Sequence, residues 1–313
     1  MKAAVVEQAG ALPVYGDFAE PEARAGEVIV KVSASALSQL TRGRAAGRHY
    51  SVSGGFPLIA GVDGTGRLDD GRRVYFLQPR APFGAMAERT VVLESQCITV
   101  PDTLDDVTAA LIANPGMSSW AALTERARLN SGETVLIHGA TGVSGRLAVK
   151  IARHLGAARV IATGRNEAVL GSLGADAVVR IGADLDAFEG AVREHFADGI
   201  DIVLDYLWGA SARSILVAGA KAGREGVPIR FVQIGSVAGA EIELPAAVLR
   251  SSAIEMKGSG IGSVSLAGLL GAISGVFGAA EAANLTLDHA VVPLSQVNAT
   301  WANEGDRIVY FPD

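Results

Sequence analysis

The chain has 313 residues, 49% of them hydrophobic, and a formal net charge of −6. That length suits about two domains with sizeable cores, and an acidic balance without long charge runs argues against nucleic acid as the main partner. Cys97 is the single cysteine, so an intrachain disulfide is excluded.

The chain opens on Met1-Lys2-Ala3-Ala4-Val5-Val6-Glu7, a strand-like run that meets charge too early for a signal peptide. Residues 1–112 read as all-β, with strands predicted at 28–32, 73–77 and 87–92 between glycine- and proline-rich turns. Cys97 precedes Ile98-Thr99-Val100-Pro101 in a strand-like stretch. With no base nearby in sequence, it reads as a packed small residue rather than a nucleophile. Pro101 stops that strand, and Asp102 or Thr103 is placed to cap a helix over 102–113.

From about residue 115 strands and helices alternate. Thr134–His138 is a short apolar run suited to a buried parallel strand. Gly139, Gly142 and Gly145 follow with spacing G-x-x-G-x-x-G. Leu147, Ala148, Ile151, Ala152 and Leu155 then recur at helical spacing, Gly156 ends the helix, and Val160–Thr163 supplies a second strand. A turn without side chains lets backbone N–H groups approach a pyrophosphate, which then sits on the positive end of the helix. The strand-to-helix setting makes Gly139, Thr141, Gly142, Val143, Ser144 and Gly145 candidate dinucleotide-binding residues. The alternative is a bare structural turn.

The end of the second strand bears on which dinucleotide is bound. NAD-binding folds usually carry Asp or Glu there, to hydrogen-bond the ribose 2′-hydroxyl. This chain has Thr163-Gly164-Arg165-Asn166 and no acidic residue from Val160 to Asn166. A guanidinium pairs bidentately with a 2′-phosphate, so NADPH is the expected cofactor. The plainer reading of Arg165 is a solvated loop arginine.

Beyond the fingerprint comes the segment 170–174, then helices are predicted at 185–196 and 210–222, and strands at 177–181, 200–206 and 229–234. The apolar stretch Leu266–Ala283 is interrupted by several glycines and reads as a buried or interfacial helix, 264–282, rather than a membrane span. The strand 306–311 is expected to rejoin the first domain, making that domain discontinuous. The expected protein is soluble and cytoplasmic.

Specific stretches resemble the medium-chain dehydrogenase/reductase superfamily over nearly the whole chain. They are Leu58-Ile59-Ala60-Gly61-Val62-Asp63-Gly64-Thr65-Gly66, Gly84-Ala85-Met86-Ala87-Glu88, Asn114-Pro115-Gly116-Met117-Ser118-Ser119-Trp120, the glycine turn, and Asp201-Ile202-Val203-Leu204-Asp205. The resemblance implies an α/β protein with a Rossmann-type doubly wound parallel sheet domain, 115–258. It also implies a discontinuous β-rich GroES-like catalytic domain, 1–114 and 259–313. The zinc alcohol dehydrogenases of that superfamily carry a Cys-His pair where this chain has Ser38-Gln39, and a histidine where it has Val62. His49, His138, His154, His195 and His289 show no ligand-like spacing, so no metal is expected.

What remains resembles the zinc-independent quinone oxidoreductases and the related enone and 2-enoyl thioester reductases. In that group NADPH gives hydride to a quinone or to the β-carbon of an α,β-unsaturated carbonyl, in the cleft between the two domains. The likeness makes Tyr50 and Ser38 the candidate catalytic residues, Tyr50 either as hydrogen-bond donor and acid or as a residue that only lines the cleft. His49 is the reserve acid. The likeness also brings Ser118, Gly235-Ser236-Val237 and Gly258-Ser259-Gly260 to the cofactor. A homodimer joined through 242–256, read as a strand, and helix 264–282 is the implied assembly. Two departures stand out: a short loop after Gly66, and Val143-Ser144-Gly145 where relatives commonly show Gly-Val-Gly.

No tyrosine has lysine four residues later, which excludes the short-chain dehydrogenase pair. The remaining competitor is a non-catalytic NADPH-binding redox sensor or structural protein on the same fold.

Overall fold

A computed structural model of the protein describes residues 1–48, 55–303 and 307–313. Among these residues the strands are β1 (Lys2–Val6), β2 (Val14–Asp17), β3 (Glu27–Ala36), β4 (Leu58–Ile59), β5 (Asp63–Leu68), β6 (Arg73–Leu77), β7 (Arg89–Leu93), β8 (Cys97–Thr99), β9 (Thr134–His138), β10 (Arg159–Gly164), β11 (Ala177–Arg180), β12 (Ile202–Asp205), β13 (Ile229–Gln233), β14 (Ile254–Gly258), β15 (His289–Pro293) and β16 (Arg307–Phe311). The helices are α1 (Gln39–Ala45), α2 (Asp106–Ala121), α3 (Val143–His154), α4 (Glu167–Ser172), α5 (Leu185–Asp198), α6 (Gly209–Ala222), α7 (Ala246–Arg250), α8 (Leu266–Ala279) and α9 (Val297–Thr300). None of the described helices is long and apolar enough to cross a membrane.

The chain divides into two compact units, Met1–Asn114 with Thr286–Asp313, and Pro115–Leu285. In the first, the long strand β3 pairs with β5, β7 and β16. Val30, Val32, Phe76 and Val92 bury one apolar cluster there. The pairing of β16 with β3 brings the carboxyl-terminal strand into this unit.

The second unit holds a six-stranded sheet in the order β11-β10-β9-β12-β13-β14, with every neighbouring pair parallel. Parallel strands need helical crossovers, and helices on both faces explain why these strands are apolar along their whole length. Leu136, Ile161, Val203 and Phe231 from four strands pack with Phe188, Val192 and Phe196 of α5 and Ile215 and Leu216 of α6. Residues of α3 are absent from that cluster, and α3 packs on β9 and β10.

Three local expectations change. The helix expected to start at Asp102 or Thr103 begins at Asp106, because Asp105 takes the cap. Its carboxylate accepts the Thr108 N–H at 2.8 Å and the Thr108 hydroxyl at 2.6 Å. The helix also continues through Pro115 to Ala121. The segment 242–256 is not one strand: it contains the short helix α7, and β14 begins only at Ile254.

Residues 259–285, expected with the β-rich domain, group with the second unit, and the return begins at Thr286. The reason is packing of α8 on the second half of α2. A Cβ on Gly116 would lie 2.9 Å from Val276, and one on Gly275 would overlap the Trp120 indole. These approaches are closer than any side chain larger than hydrogen permits, so α8 belongs with the element it touches.

Candidate active site

The sheet register sets out the site before any side chain is considered. Thr163 of β10, His138 of β9, Asp205 of β12, Gln233 of β13 and Gly258 of β14 form one row across the sheet. It is the last paired row for β9 and its neighbours on the β14 side, so the connections after β9, β10, β12, β13 and β14 all leave from the same carboxyl edge. The chain order reverses between β9 and β12. In open α/β sheets, ligands occupy the crevice at such a switch point.

At that point Gly139 leaves β9 with φ +89°, a conformation open to glycine at little cost. A Cβ there would lie 2.9 Å from the Leu207 side chain. The Gly139 and Ala140 N–H groups donate to the Thr163 carbonyl at 3.0 and 2.8 Å, and Gly142 N–H donates to Gly139 at 3.1 Å. Helix α3 then starts with Gly142 as its cap residue and no side chain capping it. Its first N–H groups therefore keep their donors for an outside acceptor. Gly145 permits the close packing: a Cβ would collide with the Gly139 carbonyl oxygen and lie 2.6 Å from Ala140 Cα. Gly164 does the same for Thr141, whose Cγ2 would be 2.6 Å from a Cβ.

Four polar groups brace this edge from inside. His138 is fully buried, with Nδ1 2.6 Å from Thr163 Oγ1 and Nε2 2.9 Å from Ser211 Oγ. Burial without a charged partner pushes its pKa down to about 3, so the imidazole is neutral. Asp205 is buried and its pKa is raised to about 6 by desolvation. It accepts the Leu207 and Trp208 N–H groups at 2.9 and 3.0 Å, holding Trp208 at φ +58°. Tyr206 and Ser119 are buried with their hydroxyls 2.8 Å apart, and Ser119 also donates to the Ser144 carbonyl at 3.2 Å. That link ties α2 to the first turn of α3.

The expected cofactor residues fall as follows. Gly139, Thr141, Gly142, Val143, Ser144 and Gly145 form the turn and the start of α3. Thr163 is buried with its hydroxyl on His138, so its carbonyl is what reaches the turn. Arg165 is exposed, and among the described residues nothing accepts from its guanidinium. Asn166 caps α4, its Oδ1 accepting the Val169 N–H at 3.2 Å. Gly235 leaves the end of β13 and donates to the Asp205 carbonyl at 3.1 Å, with Ser236 and Val237 exposed beyond it. Gly258 accepts from Arg126 at 2.8 Å, Ser259 donates to Gln233 at 2.8 Å, and Gly260 donates to Ser263 at 2.8 Å. Ser118 lies on α2, its hydroxyl donating to the Pro115 carbonyl at 2.8 Å.

In the first unit, Ser38 caps α1. Its Oγ accepts the Thr41 N–H at 3.0 Å and lies 3.0 Å from Thr41 Oγ1. Tyr50 and His49 lie outside the described residues. Cys97 is half-buried with its thiol pushed up to about 11, mainly by burial, which leaves little thiolate for nucleophilic attack.

The family described as zinc-binding dehydrogenase matches residues 144–274. A probable NADPH-dependent quinone reductase of Emericella nidulans is 29% identical over 96% of each chain. The quinone oxidoreductase of Thermus thermophilus, solved alone and with NADPH, superposes with a TM-score of 0.81 at 25% identity, covering 99% of this chain and all of that one. A mycobacterial quinone oxidoreductase superposes with a TM-score of 0.85 at 20% identity over the full length of both chains. The chain belongs to the medium-chain dehydrogenase/reductase superfamily, in its quinone oxidoreductase and enone reductase branch.

The donor set does not fit the zinc of the matching family's description. Ser38, Gln39 and Val62 offer no thiolate or imidazole, and among the described residues no group of three or more His, Cys, Asp or Glu is arranged to hold a metal. Sequence reading missed the braces. Ser119 and Tyr206 are 87 positions apart, and neither belongs to a motif that pairs them. His138 reads in the sequence as the end of a buried strand and as a histidine without metal-ligand spacing, and neither reading points to its partners Thr163 and Ser211.

Two outcomes follow. A Cβ at Gly142 would make only an ordinary contact, 3.5 Å from Gly139 O. Gly145→Ala is therefore expected to lower the unfolding free energy by about 1–3 kcal/mol, and Gly142→Ala by clearly less, in chemical denaturation. Because His138 stays neutral in the fold but titrates near 6.5 when unfolded, stability holds above that pH and falls as pH drops toward 3. Between pH 7 and 5 the wild type should lose about 2 kcal/mol that His138→Gln does not lose.

Proposed function

We propose that the protein is an NADPH-dependent, zinc-independent reductase that delivers hydride to quinones or to the β-carbon of α,β-unsaturated carbonyl compounds. The observation that carries this reading is the uncapped start of α3 behind Gly139, Gly142 and Gly145, at the switch point of a parallel sheet. Relatives whose names include NADPH and quinone reduction match over nearly their whole length, which supports the same reading.

The turn suits a dinucleotide on two counts. Close approach at Gly145 seats the turn on the helix, and no side chain occupies the donors of its first turn. Val143, Ser144 and Gly145 would present N–H groups to the pyrophosphate. Arg165, exposed beyond β10 with no partner among the described residues, would pair with the 2′-phosphate. The loop at Gly235-Ser236-Val237 and the α2 residue Ser118 would face the nicotinamide, and Gly258-Ser259-Gly260 would complete that side.

NADPH, when bound, supplies the hydride. The chain must then stabilise charge that builds on the acceptor oxygen and deliver one proton. In an enone, the incoming electron pair reaches the β-carbon, the alkene electrons shift to the carbonyl oxygen, and the α-carbon gains the proton. In a quinone, hydride and one proton give the hydroquinone. Tyr50 is the proposed donor to the oxygen, with water as the competing proton source. Ser38 is a second hydroxyl: its oxygen accepts the Thr41 N–H in capping α1 and lies 3.0 Å from Thr41 Oγ1, so it would act on the acceptor only through Thr41.

The test follows absorbance of the reduced cofactor with an aromatic ortho-quinone, an enone and a 2-enoyl thioester, with NADH in parallel. The expected result is NADPH-selective consumption, and an Arg165→Ala variant whose preference for NADPH falls about tenfold or more. Faster turnover with NADH would overturn the role of Arg165. Tight NADPH binding with no turnover of any acceptor would favour the non-catalytic reading.

A further inference from the structure

One charged side chain in the first unit lies in a cavity with nothing to neutralise it. Arg44, near the end of α1, borders a small cavity of about 30 Å³ whose described walls include Thr41, Gly61, Val62, Pro82 and Phe83. None of the described wall residues is acidic, and Arg44 is the only charged one. Its guanidinium makes no hydrogen bond or ion pair with any described residue. Two other arginines of this unit behave differently: Arg42 donates to the Asn303 carbonyl, and Arg80 pairs with Glu27 at 2.7 Å. Burial lowers the pKa of Arg44, and no carboxylate acts in the opposite direction. A partly desolvated cation without an acceptor is a cost that a bound anion removes.

The neighbouring polar group completes an anion seat. Thr41 is buried, with its hydroxyl 3.0 Å from Ser38 Oγ. Ser38 Oγ already accepts the Thr41 N–H, so the Ser38 proton can go to Thr41 Oγ1. That leaves the Thr41 proton free to donate outward. The cavity has space for about two water-sized groups, which matches two carboxylate oxygens and is too small for an aromatic ring. Its position adds the link to the reaction. Thr41 is bonded to Ser38, the hydroxyl assigned to the acceptor in the reductase reading, and Val62 lines the same cavity.

We propose that Arg44, with the Thr41 hydroxyl, binds the carboxylate of the acceptor, so that the preferred substrates are α,β-unsaturated carbonyl compounds carrying a carboxylate. This rests on the reductase reading above. Arg44 selects the substrate by charge and shape and takes no part in moving hydride or proton.

The test compares 4-oxo-2-pentenoate with its methyl ester, each reduced by NADPH, in wild type and Arg44→Gln, with an ortho-quinone as the uncharged control. Intrinsic reactivity differs between acid and ester but is the same for both proteins, so it cancels in the ratio. Arg44→Gln should lower kcat/KM for the acid about tenfold or more, chiefly through KM. The ester and the quinone should keep their rates, and Arg44→Lys should recover part of the loss. Binding of 4-oxopentanoate, the saturated analogue, followed by saturation-transfer NMR, should weaken in the same variant. Equal loss for acid and ester, or analogue binding unchanged in Arg44→Gln, would overturn the proposal. A wild type that reduces the quinone but shows no arginine-dependent response to the acid would sink this inference alone. A wild type that reduces no acceptor would sink the reductase reading instead.

Discussion

The second unit depends on one steric constraint: backbone must pass backbone at the carboxyl edge of the sheet without a side chain between. Gly145 lies so close to Gly139 and Ala140 that even a methyl group collides, and Gly164 gives Thr141 the same clearance. With these contacts satisfied, the start of α3 points its N–H groups over the end of β9, where the strand order reverses. Anion binding at a helix start then needs no dedicated side chain, because the donors and the dipole are part of the backbone.

Buried polar pairs hold that edge in place, and they succeed because each is satisfied. His138 spans from β10 to α6 through Thr163 and Ser211. Asp205 spends its acceptors on the N–H groups of the turn after β12. Tyr206 and Ser119 tie α2 to α3. An unpaired polar group at such depth would be costly, so these partners fix a single arrangement of three loops around the switch point. None of them needs to touch a ligand to matter.

Local chemistry was the legible part of the sequence. The run from Thr134 to Gly164 showed strand, turn, helix and strand within a residue or so at most boundaries, because apolar periodicity and glycine spacing act over short distances. The lack of an acidic residue after β10 was equally plain. Long-range packing was not legible. Placing 259–285 with the dinucleotide unit depends on Gly116 and Gly275 admitting Val276 and Trp120, contacts that no local pattern encodes. The stretch 242–256 was misread for a related reason: its apolar residues suit a strand, while α7 and β14 divide it. Arg44 was invisible as well, since an arginine in a short helix looks solvated until its walls are known.

Under the proposed reductase reading, Ser38, Gln39 and Val62 offer no metal-ligand set, so charge on the acceptor oxygen would be met by hydrogen bonds and by the placement of the acceptor. The most direct measurement is isotopic: reduce an enone with NADPH deuterated at C4 on each face in turn, and locate the label in the product. One face should deliver a single deuterium to the carbon β to the carbonyl, with the α-carbon taking its hydrogen from solvent. Label on the carbinol carbon would indicate carbonyl reduction, and product without label from either face would contradict direct hydride transfer.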